Sequence, residues 1–141
     1  MRTKRIVTTI VIGAICSLMG SVAQAEACWD EWEYQGQWLM RASQCSANVS
    51  ISDFARGFCQ TRVQGDTTRK AAECPATAKA KDGLNVVTHP VVARCLGMSP
   101  PMSGGKANVL YYGGPSFQES RESLKQMCTA LEGKWVEGAG T

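Results

Sequence analysis

The sequence predicts a small α+β domain: a largely antiparallel sheet, a docked C-terminal helix and three disulfide bridges. Three observations lead there. Six cysteines remain once an N-terminal export signal is set aside, and an even count in a short exported chain reads as a disulfide framework. Residues 117–131 carry apolar side chains at helical spacing between two short β-like runs. Residues 26–141 are enough for one hydrophobic core, and no repeat, low-complexity stretch or linker divides them into domains.

The chain opens with a basic head (Arg2, Lys4, Arg5), an apolar run over 6–20 and the small-residue pair Ala23 and Ala25. That order describes a secretory signal peptide over 1–25, cut before Glu26. Cys16 is a poor lipidation site, because the bulky Ile15 stands where a lipobox needs a small residue. No other stretch approaches the length of a membrane span. The three basic residues of the signal account for the whole formal charge of +3, so the exported protein is neutral. That removes the electrostatic argument for nucleic acid or an anionic membrane as partner.

The first exported stretch reads ACWDEWEYQGQW, and it admits two patterns. As a strand, Trp32, Tyr34, Trp38 and Met40 share one face, with Glu31, Glu33, Gln35 and Gln37 on the other. As a helix over about 31–43, Asp30 caps, Glu31 and Glu33 suit the first turn, Arg41 suits the last, and Trp29, Trp32, Gly36 and Leu39 align. Capping and dipole agreement favour the helix, which would hold Cys28 and Cys45 too far apart to bridge. Either element has an apolar face suited to a core. The tryptophan left exposed is Trp38 in the strand reading and Trp29 in the helix reading.

Residues 52–58 resemble a short helix weakened by Gly57. Cys59 and Cys74 stand symmetrically about Gln64-Gly-Asp-Thr67, so a hairpin there predicts a Cys59 to Cys74 bridge. Residues 77–83 read as a solvated helical turn or a loop. The runs 91–96 and 108–112 flank a Gly, Ser, Pro and Met loop and suggest a wide hairpin. The helix over about 117–131 follows, with Ser116 and Glu119 as a capping box and Gly133 placed to end it in a left-handed conformation. Residues 134–136 complete a strand, helix, strand unit, and Cys128 on the helix is expected to clamp Cys95 on the neighbouring strand.

The chemistry-bearing residues are sparse. None of Cys28, Cys45, Cys59, Cys74, Cys95 and Cys128 forms a close pair of the type that zinc or a thioredoxin-like redox centre uses. His89 is the single histidine and has no nucleophile motif beside it. Met98, Met102 and His89 are the residues that a periplasmic Cu(I) site would draw on. Glu31 and Glu33, two residues apart among aromatics, are the pair that a glycan hydrolase would use. Gly104-Gly-Lys106 lacks the remainder of a phosphate loop. The acidic start and the basic middle (Arg56, Arg62, Arg69, Lys70, Lys79, Lys81) suggest a solvated face, or two regions that touch.

The expectation is therefore an exported, noncatalytic protein, periplasmic or secreted, with no cofactor. It would bind a protein or glycan partner in the envelope or outside the cell, with Trp29, Trp32 and Trp38 as candidate contacts. A small envelope glycan hydrolase using Glu31 and Glu33 is the alternative, and copper binding the second.

Overall fold

The tryptophan-rich stretch is a β-hairpin and not the helix its capping pattern favoured. In the computed structural model, which describes residues 26–49, 59, 63–101 and 105–138, β1 (Glu26–Tyr34) pairs antiparallel with β2 (Gln37–Met40). Both turn residues are left-handed, Gln35 at φ 50° and Gly36 at φ 74°, the pattern of a type I′ turn whose twist matches that of the strands it joins. Tertiary pairing overrides the local helix signals because β1 is used on both edges. Glu31 faces Met40 on one side and Thr67 of β4 (Thr67–Ala71) on the other. The signal segment, the 52–58 stretch and Met102 lie outside the described residues.

From β2 the chain passes through a 3-10 turn, Arg41–Ser43, into β3 (Gln44–Val49). Cys28 of β1 pairs with Ser46 of β3 on the side away from Lys70 of β4, so β2 and β3 follow one another along the same edge of β1. The sheet continues through β7 (Ala107–Tyr112) and β6 (Asn85–Met98), with β5 (Thr77–Asp82) and β8 (Lys134–Glu137) against β6. All described pairings are antiparallel. Residues 77–82 are thus a strand rather than a helical turn or loop, joined to β6 through the two-residue turn Gly83-Leu84. The 91–96 and 108–112 runs pair as expected. The β7, helix, β8 unit forms as well, with its two strands on either side of β6.

One irregularity lets β6 serve two cores. Val91 pairs with Tyr112 and Ala93 with Tyr111, so Val92 is an extra residue and the strand's facing reverses there. Val91 and Tyr112 join Ala27, Met40, Cys45 and Ala78 inside the curl of the sheet. Ala93 and Tyr111 join Cys95, Met98, Val109, Phe117 and Cys128 beneath the helix. The curl brings β2 to β5, where Lys79 Nζ donates to Gln37 Oε1 at 3.3 Å.

The helix, α1, spans Pro115–Ala130. Proline takes the first helical position, so the cap falls to Gly114 and no side-chain cap bond forms; Ser116 lies inside the first turn instead of at the capping position. At the other end Gly133 N–H donates to Cys128 O and Glu132 N–H to Thr129 O, a Schellman pair. The left-handed residue is Glu132 (φ 62°) and not Gly133. Gly133 is required for space, since a Cβ there would lie 2.9 Å from Cys128 Sγ and nearer still to Cys95 Sγ.

Three bridges brace this arrangement, as an exported protein in an oxidising environment would have. Cys95–Cys128 fastens α1 to β6 as expected, with both residues fully buried. The Cys59 to Cys74 expectation is wrong: Cys28 pairs with Cys59 and Cys45 with Cys74, each at a Cα separation of 6.0 Å. A turn does form, with Asp66 N–H donating to Val63 O, but it delivers residues 67–71 to β1. No hairpin register is left to bring residues 59 and 74 together.

Candidate functional site

The two-residue turn decides which aromatic rings share a face. Glu33 lies opposite Trp38 and Tyr34 opposite Gln37. Trp38 therefore shares a face with Glu33, Glu31 and Trp29, whereas Trp32 and Tyr34 point the other way. A single strand through this stretch would have grouped Trp32, Tyr34 and Trp38; the register shift at the turn separates them.

On the first face the groups form a connected row. Trp29 Nε1–H donates to Glu31 Oε1 at 2.8 Å, Arg69 Nε donates to Glu31 Oε2 at 2.7 Å, and the Arg69 guanidinium lies 4.9 Å from the centre of the Trp38 ring. Both Glu31 oxygens are thus engaged. Trp29 packs against the inner core, while Trp38 at the end of the row is 43% exposed and Glu33 across from it faces solvent. The acidic start and the basic middle do meet here, because β4 lies alongside β1.

The opposite face has its own row. Trp32 and Tyr34 have ring centres 5.5 Å apart, Arg41 lies 4.9 Å over Trp32, and Lys81 Nζ lies 4.7 Å from Tyr34. Arg41 also makes a two-pronged pair with Asp66, Nε to Oδ2 at 2.8 Å and Nη2 to Oδ1 at 2.5 Å. Those hydrogen bonds hold the Asp66 carboxyl below its usual range and raise the Arg41 guanidinium. Each exposed edge of aromatic surface therefore carries a cation fixed in place.

Beside Arg41 is a polar cleft of about 160 Å³, lined by Trp29, Asp30, Arg41, Gln44, Ser46 and Thr68, with the Cys28–Cys59 bridge in its wall. Thr68 Oγ1 donates to Asp30 Oδ1 at 2.7 Å. Ala42, also in the lining, and Ser43 are consecutive non-glycine residues in the left-handed region, φ 54° and 49°. Arg41, Asp66 and the cleft were not legible beforehand. Arg41 enters the sequence reading only as a helix-end residue, and its pairing with Asp66, 25 positions on, has no local signal.

The remaining candidates do not come together. Met98 packs beneath α1, whereas His89 lies nine residues earlier on β6, roughly 30 Å away at strand rise, against Gly113 and Gly114. His89 Nε2 is buried there with no hydrogen-bond partner among the described residues. Lys106, from the glycine-rich loop, donates to Gly97 O at 3.4 Å. Among the described residues no group of His, Cys, Asp and Glu is arranged to hold a metal, and no helix is long and apolar enough to cross a membrane. Comparison with protein-family models, with curated proteins and with solved structures finds no match to this chain.

Proposed function

We propose that this is an exported, noncatalytic binding protein, periplasmic or secreted. It docks a protein or glycan partner through the first face of the β1–β2 hairpin, with Trp38 as the anchor and Trp29 as its half-buried support. The observation that carries this reading is the row Trp29, Glu31, Arg69, Trp38, in which each member is held by the next and the last ring is left 43% exposed. A large ring immobilised before binding loses little entropy when a partner covers it, and anchors of this type dominate binding energy. Trp32, on the reverse face under Arg41, is a support for the hairpin in this reading.

The engagement of both Glu31 oxygens favours binding over chemistry, since a carboxylate fixed by two donors is poorly placed to act as acid or nucleophile. The test is capture of the partner from the native envelope by the oxidised protein, wild type against Trp38→Ala. Loss of the captured partner with Trp38→Ala is the expected result, and equal capture overturns the assignment of Trp38. Turnover of peptidoglycan or a soluble polysaccharide that disappears in both Glu31→Gln and Glu33→Gln would instead establish a hydrolase.

A further inference from the structure

We propose that the cleft beside Arg41 is a second binding site, separate from the Trp38 face, and that it takes a single cationic group: a primary ammonium or a guanidinium. The sign of the ligand follows from how the charges are already used. Arg41 is matched by Asp66 in a two-pronged pair and stacked over Trp32, so its charge is balanced where it stands. Asp30 accepts one hydrogen bond from the neutral Thr68 hydroxyl, and no ion pair to it occurs among the described residues. Among the described residues Asp30, Arg41 and Asp66 together leave one negative charge, and Asp30 is the carboxylate of the three that lines the cleft. An anion entering here would meet Asp30 and a guanidinium that already holds the Asp66 carboxylate and lies in the field of Asp30 as well.

The neutral lining fits the same ligand. Gln44 and Ser46 each carry a side-chain oxygen able to accept, which together with Asp30 suits a group with three donors and no acceptor. A volume of about 160 Å³ is the share of roughly five water molecules, enough for the end of a lysine or arginine side chain or a small alkylamine. The wall combines β1, β4 and the start of β3 with the Arg41–Ala42 turn and a disulfide. Strand alternation places Asp30 and its neighbour Thr68 on the sheet face opposite Trp38, and Trp29 is the one residue of the Trp38 row that also borders the cleft.

The test is an amide NMR titration of the oxidised exported protein with three probes: N-acetyl-lysine methylamide, putrescine and, as the anionic control, butyrate. The expected result is saturable shifts confined to Asp30, Arg41, Gln44 and Thr68 with either amine, at a Kd on the order of 1 mM, and none with butyrate. Asp30→Asn should weaken amine binding at least about tenfold, Gln44→Met should weaken it less, and Trp38→Ala should leave it unchanged. Tighter binding of the lysine derivative identifies a partner's side chain as the source of the cation, and tighter binding of putrescine identifies a free amine. No saturable shift with either amine, saturation that persists in both Asp30→Asn and Gln44→Met, or a response to butyrate alone would overturn the proposal.

Discussion

Gly133 and the Cys95–Cys128 bridge occupy the same space, and that predicts a specific non-additivity. A Cβ on residue 133 would collide with both sulfurs and stand 3.0 Å from Cys128 O. Gly133→Ala should therefore cost about 2 kcal/mol, the middle of the range for forced overpacking. The bridge spans a sequence separation of 33, so Cys95→Ala with Cys128→Ala should cost about 3.7 kcal/mol from loop entropy before any cavity effect. Once the sulfurs are gone, the new methyl group loses its two closest contacts and keeps the 3.0 Å approach to Cys128 O. The triple variant should then lie about 4 kcal/mol below wild type instead of about 6, a coupling of about 2 kcal/mol. Equilibrium urea unfolding under non-reducing conditions measures it, since at a slope near 2 kcal/mol per molar the coupling moves the midpoint by about 1 M. Simple additivity would show that sulfur contact is not what demands glycine at this position.

Other expectations follow from the same packing. Tyr112, fully buried, donates its hydroxyl to Pro75 O at 2.6 Å, so Tyr112→Phe strands that carbonyl and should cost about 1 kcal/mol in urea unfolding. Burial pushes the Tyr112 hydroxyl up to about 12. Because the folded value lies above the unfolded one, its contribution is complete below about pH 10 and lost as pH rises toward 12, by at most about 3 kcal/mol. The phenylalanine variant should lack that part of the alkaline limb, and identical limbs would refute the assignment. Asp66, bonded by Arg41, and Glu137, bonded by Trp135 and then by Arg121, are both held below the usual carboxylate range. Their contribution is present above that range and fades as pH falls through the lowered values, so Asp66→Asn and Glu137→Gln should each flatten the urea midpoint between about pH 5 and pH 2. An unchanged slope would count against these pairs. Ala42→Gly relieves a left-handed alanine and should raise stability by about 0.5 kcal/mol, a gain that a lower melting temperature would contradict.

What was legible in the sequence was what is local. The helix repeats its apolar residues within five turns, and the strands on either side are its immediate neighbours, so residues 117–131 and the Cys95 to Cys128 pair could be read together. The N-terminal hairpin was misread because Asp30, Glu31, Glu33 and Arg41 satisfy the rules for helix ends, while the turn that overrides them begins with Gln35, a residue that seldom announces a left-handed position. The β5–β6 hairpin carried a turn signal in Gly83, the first residue of the two-residue loop, and it was obscured by the alternating alanines and lysines of 77–82. The bridges among the first four cysteines depend on β4 crossing to β1, a contact between residues about forty apart that no local pattern encodes. The candidate site was half visible: the tryptophans stood out, but which rings share a face depended on a two-residue turn, and the cleft depended on an arginine and an aspartate from separate strands and loops.

The bridge pattern also bears on how the chain matures. The loops closed by Cys28–Cys59 and Cys45–Cys74 interlock, each enclosing one end of the other. Thiols joined in their order along the chain give Cys28–Cys45, which is not native. Only Cys95–Cys128 is correct when cysteines pair consecutively. Correct oxidation of the N-terminal half therefore requires either thiols that stay reduced until β4 has docked or an isomerase that exchanges the early bridge, steps that take seconds to hours unaided. The yield of correctly bridged protein should accordingly fall when late oxidation and disulfide isomerisation are both prevented.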